Sequence, residues 1–210
     1  MTRLARIVVL ASGSGSNLQA IVDATADGRL HAEVVAAITN RADAFALERA
    51  ANAGIATRLL ERLDNEERSA YDTRLAQAVA PFEPDWVVLA GWMRLLTMNF
   101  LGAFPDRVVN LHPALPGDLP GINAIERAWD EAIAGSRSES GVMVHLVPDE
   151  GVDDGPVLAS RKILIDRSGT LEQYTAAIHA TEHELLVDTL AELCSPARSS
   201  TQLPTSEVST

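Results

Sequence analysis

An amide and an imidazole, Asn110 and His112, stand two residues apart in Asn110-Leu111-His112-Pro113, at the end of the apolar run Arg107-Val108-Val109. On an extended strand alternate side chains face the same way, so both leave the strand on one side. Pro113 blocks ordinary continuation of the ladder and biases His112 toward extended backbone. Two polar groups thus emerge together at a strand's carboxyl edge, where open α/β sheets bind ligands. A complementary chemistry lies far along the chain, in Asp149-Glu150-Gly151-Val152-Asp153-Asp154-Gly155-Pro156. A carboxylate from this run, set against His112, would raise the imidazole pKa and hold an imidazolium. With the Asn110 amide, that would form an electrophilic pocket for negative charge developing on oxygen, suited to acyl transfer without a serine or cysteine nucleophile. Read alone, the acidic run is a solvated loop; it lacks the ligand spacing of an EF-hand. There is no His-Glu-x-x-His and no cysteine pair, so no metal is expected. His31, His145 and His183, each isolated among unrelated neighbours, are read as structural or solvent-facing.

A third feature is the turn Ser12-Gly13-Ser14-Gly15-Ser16-Asn17-Leu18. Glycines let backbone approach a ligand closely, and free N–H groups at a helix N-terminus favour an anion. The dinucleotide fingerprint would need a third glycine where Leu18 stands, and an acid closing the second strand where Thr39-Asn40-Arg41 stands. No Gly-Lys-Ser/Thr follows. A monophosphate fits this turn better than a dinucleotide.

The elements that must position these groups alternate along the chain. Strands are expected at Arg6–Ala11, His31–Ile38, Ile55–Glu61, Trp86–Ala90 and Arg107–Leu111. Helices are expected at Asn17–Ala26, Ala42–Ala53, Asn65–Ala80 (led by the acids Glu66 and Glu67) and Ile122–Ala134. Apolar strands without polar alternation, separated by helices, make a parallel sheet covered on both faces. Val142–Val147 and Pro156–Ile165 are joined only by the acidic loop, too short for a crossover helix, so this pair is antiparallel. Leu171–Leu193 is a long final helix. The expectation is an α/β, Rossmann-like three-layer domain over residues 1–194, its mostly parallel sheet flanked by helices and ending in an antiparallel pair. Residues 195–210 are poor in apolar side chains and read as a disordered tail.

Composition narrows the function. The chain has 210 residues, 47% hydrophobic and 22% charged, with a net charge of −12. Those are globular proportions, and a field of that sign disfavours nucleic acid as a partner. No apolar run is long enough for a transmembrane helix, and the first strand starts without a signal-peptide pattern, so a cytoplasmic protein without membrane contact is expected. The lone Cys194 suits a reducing compartment and reads as incidental. Oligomeric state is open, a homodimer included.

Taken together, these segments resemble the folate-dependent formyltransferases, most closely those that formylate glycinamide ribonucleotide in purine synthesis. The resemblance runs from about Arg6 to Leu193. It is carried by Ser12–Ala20, Asn40-Arg41-Ala42-Asp43-Ala44, Leu89-Ala90-Gly91-Trp92-Met93-Arg94-Leu95-Leu96, Asn110-Leu111-His112-Pro113 and Asp153-Asp154-Gly155-Pro156-Val157, in that order. It implies that Gly15, Ser16 and Asn17 hold the ribonucleotide phosphate, and that His179 to Glu182 contact the ribonucleotide, Glu182 near its glycyl amine. It places 10-formyltetrahydrofolate, the formyl donor, along Met93, Arg94, Leu95 and Leu96 and against Asp149–Asp153, with Arg68 near the reactants and Asn110 and Asp153 touching the folate. Asn110, His112 and Asp153 fall on the catalytic trio. The implied reaction is attack by the amine on the formyl carbon. Charged His112 and the Asn110 amide stabilise the oxyanion, while Asp153 keeps His112 charged and helps move protons through water.

Departures from the pattern lie beside the trio. After Pro113 the chain reads Ala114-Leu115-Pro116-Gly117-Asp118-Leu119-Pro120-Gly121, where relatives usually carry a Leu-Leu-Pro loop. Asn123 replaces a common histidine, and His179 a common Lys or Gln. Other readings therefore stand beside the first: a sugar-nucleotide formyltransferase, a formyltetrahydrofolate hydrolase, or a non-catalytic phosphate- or folate-binding module. A methionyl-tRNA formyltransferase would be expected to add an RNA-binding domain, and a nicotinamide dehydrogenase lacks its glycine and its acid.

Overall fold

A computed structural model describes residues 3–195. The reading of a tail over 195–210 lies, apart from Ser195, outside the described residues. Seven strands form one sheet in the order β3-β2-β1-β4-β5-β6-β7. The strands are β1 (Ala5–Ala11), β2 (Ala32–Thr39), β3 (Ala56–Leu59), β4 (Trp86–Leu89), β5 (Val108–His112), β6 (Glu139–Leu146) and β7 (Val157–Leu164). The first five run parallel, while β6 pairs antiparallel with both β5 and β7.

β1 shows why these strands lack polar alternation. Ile7 and Val9 face one hydrophobic cluster and Val8 and Leu10 the other, all fully buried. A strand covered on both faces must be apolar at every position. The first cluster packs the sheet against helices α1 (Ser16–Ala26), α5 (Ala124–Ile133) and α6 (Leu171–Leu193), for example through Leu18, Ala128 and Leu186. The second packs it against α3 (Arg68–Val79) and a four-residue α4 (Met98–Leu101) through Tyr71, Leu75 and Phe100. The helices therefore form two layers over a middle sheet. Among the described residues, no helix is long and apolar enough to cross a membrane.

Several boundaries differ from expectation. α2 begins at Ala46 rather than Ala42: a turn closes ahead of it, the Ala44 N–H donating to the Arg41 carbonyl at 3.2 Å, and the Ala46 N–H is drawn to the Gly13 carbonyl at 3.1 Å. α3 begins at Arg68, so Glu66 and Glu67 do not lead it. Glu66 instead accepts the Leu63 N–H at 2.9 Å and pairs with Arg74 at 2.6 Å. That holds its carboxyl down at about 2, mainly through the Arg74 hydrogen bond. β5 extends one residue further than expected and ends on His112 itself.

The strand order reverses between β1 and β4. β2 and β3 lie on one side of β1, and β4 and β5 on the other, so the loops leaving β1 and β4 diverge and open a crevice at the carboxyl ends. The glycine-rich turn leaves β1, Gly91–Leu96 leaves β4, and Asn110 and His112 end β5.

Candidate active site

Asn110 and His112 face one side of β5, as their spacing requires. His112 is 4% exposed. Asp153 comes from the loop between β6 and β7, at φ +54, a left-handed conformation that costs a non-glycine residue energy and marks a constrained position. Its carboxylate is fully engaged. Oδ1 accepts from Asn110 Nδ2 at 3.0 Å, Oδ2 accepts the Gly121 N–H at 2.8 Å, and His112 Nδ1 lies 3.3 Å from Oδ2. Burial alone would raise the Asp153 carboxyl. The His145 and His112 imidazoles and the hydrogen bond from the Gly121 amide carry it below the ordinary range instead.

His112 sits between two acceptors. Its Nε2 lies 3.0 Å from the Leu119 carbonyl oxygen, so that nitrogen is assigned the proton, since a carbonyl only accepts. Asp153 favours a second proton on Nδ1. Burial opposes the charge and outweighs the pull of Asp153 and Leu119, so the His112 pKa lies below that of an ordinary histidine. The expectation that the carboxylate raises the imidazole pKa and holds an imidazolium meets an opposing effect: Asp153 does pull the pKa up, but desolvation outweighs it.

His145, read from sequence as structural, is the fourth member of the cluster. It is 2% exposed and stands opposite Asn110 across the β5–β6 pairing. Its Nδ1 donates to the Leu146 carbonyl at 2.8 Å, which leaves Nε2 to accept from Asn110 Nδ2 at 3.1 Å. Both Asn110 amide protons are thus taken, one by His145 and one by Asp153. A substrate oxygen must displace one of these partners or the Leu119 carbonyl. Leu119 is itself left-handed at φ +44, in a turn where Gly117, Gly121 and Asn123 are also left-handed.

At the other end of the cleft the glycine-rich turn becomes the start of α1. Gly15, at φ +71, occupies the N-cap position without a side-chain cap, so the first amides of α1 are open to an anion. A Cβ on Gly15 would fall 2.7 Å from Ala46 Cα, so the position demands glycine for close packing as well as for its dihedral. Arg49 Nε donates to the Ser14 carbonyl at 2.8 Å, placing a cation beside the turn. Ser12 entered the sequence reading only as the first residue of the turn, without a role of its own. Its buried Oγ accepts the Met93 N–H at 3.0 Å and fastens the β1 turn to the β4 loop.

One cavity of about 730 Å³ joins these parts. It is lined by Gly15, Ser16 and Asn17; by Met93, Arg94, Leu95 and Leu96; by Asn110, His112, His145, Asp149 and Asp153; and by His179 and Glu182 of α6. Met93 and Leu95 are 68% and 48% exposed, an apolar shelf at its mouth. Arg68 does not line the cavity. Its Nη2 reaches the Leu96 carbonyl at 3.1 Å and Glu150 at 3.2 Å, tying two walls together from behind.

A family model described as formyl transferase matches residues 5–190. The chain belongs to the formyl transferase family. Among similar formyl transferases, the phosphoribosylglycinamide formyltransferase of Schizosaccharomyces pombe is 41% identical over 202 residues, covering 90% of this chain and 97% of that one. Among solved structures, glycinamide ribonucleotide transformylase 1 from Symbiobacterium toebii superposes with a TM-score of 0.85 at 36% identity, covering 92% of this chain and 89% of that one. The phosphoribosylglycinamide formyltransferase from Bacillus halodurans gives a TM-score of 0.85 at 38% identity, covering 91% and 96% respectively. In this formyl transferase, the amide of Asn110 and the imidazole of His112, both bonded to or beside one carboxylate, are of the chemistry that can donate to an acyl oxygen without a protein nucleophile.

Proposed function

We propose that this protein acts as a phosphoribosylglycinamide formyltransferase. It moves a formyl group from 10-formyltetrahydrofolate to the amine of glycinamide ribonucleotide, giving formylglycinamide ribonucleotide and tetrahydrofolate in de novo purine biosynthesis. The observation that carries this reading is the continuity of one cleft, in which the open amides of α1 and the Asn110–His112–Asp153 cluster line the same cavity. An acceptor with phosphate at one end and an amine at the other fits that layout. The relatives' names supply the particular acceptor.

In this reading Gly15, Ser16 and Asn17 bind the phosphate, and His179 and Glu182 meet the rest of the ribonucleotide. The apolar shelf of Met93, Leu95 and Leu96, with Arg94 and the Asp149–Asp153 loop opposite, suits a flat ring with polar edges. Arg68 braces that shelf through Leu96. The folate supplies the formyl carbon on a nitrogen able to leave. Asn110 and His112 then turn their donors to the formyl oxygen, His112 exchanging its Leu119 carbonyl for it, while Asp153 fixes the imidazole ring. The partners are small molecules. The charge of −12 supports the absence of a nucleic-acid partner and, with the lone cysteine, a cytoplasmic setting.

Purified protein incubated with 10-formyltetrahydrofolate should release tetrahydrofolate only when glycinamide ribonucleotide is added, with formylated ribonucleotide appearing in equal amount. Release without acceptor would mean a hydrolase. No release with this acceptor, but release with an amino sugar nucleotide, would move the assignment to that class.

A further inference from the structure

We propose that Arg137 and Asp118 are positioning residues for the reaction. Their ion pair holds the turn 117–121, whose backbone in turn fixes the proton and ring of His112 and the carboxylate of Asp153. The inference deepens the formyl-transfer reading given above and rests on it. Asp118 lies in the stretch 114–121, where the chain departs from the pattern it otherwise resembles. Neither Asp118 nor Arg137 lines the cavity, so any effect they have on the reaction passes through other groups.

The turn touches the cluster twice, both times through backbone. The Leu119 carbonyl accepts from His112 Nε2 at 3.0 Å, and the Gly121 N–H donates to Asp153 Oδ2 at 2.8 Å. A backbone group has no rotamers, so its aim follows the course of the turn. That course is unfavourable on its own. Gly117, Leu119, Gly121 and Asn123 have φ values of +75, +44, +82 and +57, and at Leu119 a left-handed backbone is costly. Such residues persist where surrounding contacts over-determine them.

Arg137, in the connection between α5 and β6, supplies the charged contact. Its Nη1 and Nη2 grip Asp118 Oδ2 and Oδ1 at 2.5 and 2.9 Å, a two-pronged bond that sets the angle of the carboxylate as well as its distance. Arg137 is itself anchored, donating from Nε to Glu131 of α5 at 2.8 Å and from Nη1 to the Glu139 carbonyl of β6 at 3.3 Å. The two side chains are 16% and 29% exposed, so water and salt screen this pair less than a surface pair. The Asp118 N–H closes the turn on the Leu115 carbonyl at 3.0 Å. Leu115 in turn seats on Gly141 of β6, where a Cβ would fall 2.5 Å from Leu115 Cδ2. On the exposed side Arg127 Nη1 donates to the Pro120 carbonyl at 2.9 Å. Asp118 is thus the charged peg of the turn, next in sequence to the carbonyl that meets His112.

The test compares wild type with Asp118→Ala, Arg137→Met, the double variant and Arg137→Lys, each checked for folding by circular dichroism. Arg161→Met is the control, since Arg161 pairs with Glu184 and Asp188 on the β7–α6 surface away from the turn. Misplacing a reacting group by about 1 Å costs up to about 10²-fold, so kcat for formyl transfer to glycinamide ribonucleotide should fall roughly tenfold or more in each single variant, with KM for both substrates within about twofold. The double variant should be no slower than the slower single one, because both break the same clasp. Arg137→Lys keeps the charge without the fork and should fall between wild type and Arg137→Met. Nitrogen-15 NMR of the His112 imidazole should show the proton on Nε2 in wild type and in Arg161→Met, and faster exchange of that proton in the clasp variants. Unchanged kcat in the folded clasp variants, or an Nε2 proton that exchanges as in wild type, overturns the proposal. If wild type transfers nothing to this acceptor, the acceptor assignment falls, and the NMR comparison alone decides the clasp.

Discussion

At the scale of single residues the site is a contest between burial and charge. His112 has an acceptor on each ring nitrogen, an arrangement that favours imidazolium, yet it is almost wholly buried, and the net effect lowers its pKa. The consequence for stability has a definite sign. As pH falls through the ordinary histidine range, near 6.5, the unfolded chain takes a proton at position 112 before the folded chain does. Stability from this residue is therefore present above that range and lost as pH falls toward its depressed folded value. The gap in melting temperature between wild type and His112→Ala should accordingly narrow between pH 7.5 and 5. A gap that widens would mean that the two acceptors, rather than burial, set the protonation state. The same contest explains why the sequence misjudged this charge: the carboxylate partner was legible, but the depth of its burial was not. His145 was read as structural or solvent-facing for a related reason. Its neighbours on β6 are apolar, and the amide it steers lies 35 positions away on β5.

At the scale of elements, apolar strands and glycine-bearing turns were readable because they depend on local rules. β1 must be apolar throughout to serve two cores, and α6 begins where Thr170 and Gln173 form a reciprocal capping box. α6 kept its expected limits. The starts of α2 and α3 moved because the Arg41–Ala44 turn, the Ala46–Gly13 bond and the Glu66–Arg74 pairing are contacts that no hydrophobic period records. The turn into α1 ties element to function most tightly. Gly15→Ala places a methyl group against Ala46 and penalises a φ of +71. The variant should lose on the order of 1–2 kcal/mol of stability. Because the same turn presents the α1 amides, its KM for glycinamide ribonucleotide should rise at least tenfold, with less change in KM for the folate. Steady-state kinetics with each substrate varied in turn would check this. Equal rises for both substrates would detach the turn from phosphate binding.

At the scale of the whole molecule, the strand order decides why residues 15, 93, 110, 153 and 182 share one cavity. The reversal of order between β1 and β4 opens the crevice. The antiparallel return of β6 and β7 then folds the acidic loop back over the end of β5, bringing Asp153 to Asn110 from 43 residues away. Parallel strands at the start and an antiparallel pair at the end were inferred from connection lengths, so this much of the architecture lay in the sequence. The turn at Leu119 did not. Its role comes from a backbone carbonyl, which carries no residue signature. The donor role proposed for Asn110 and His112 toward the acyl oxygen is what ties this cleft to formyl transfer. It is tested most directly by kcat for formyl transfer to glycinamide ribonucleotide in wild type, Asn110→Ala and His112→Ala, each checked for folding by circular dichroism. Loss of one such donor should lower kcat by about 10²–10³ in each folded variant. Turnover equal to wild type in either one would contradict the account.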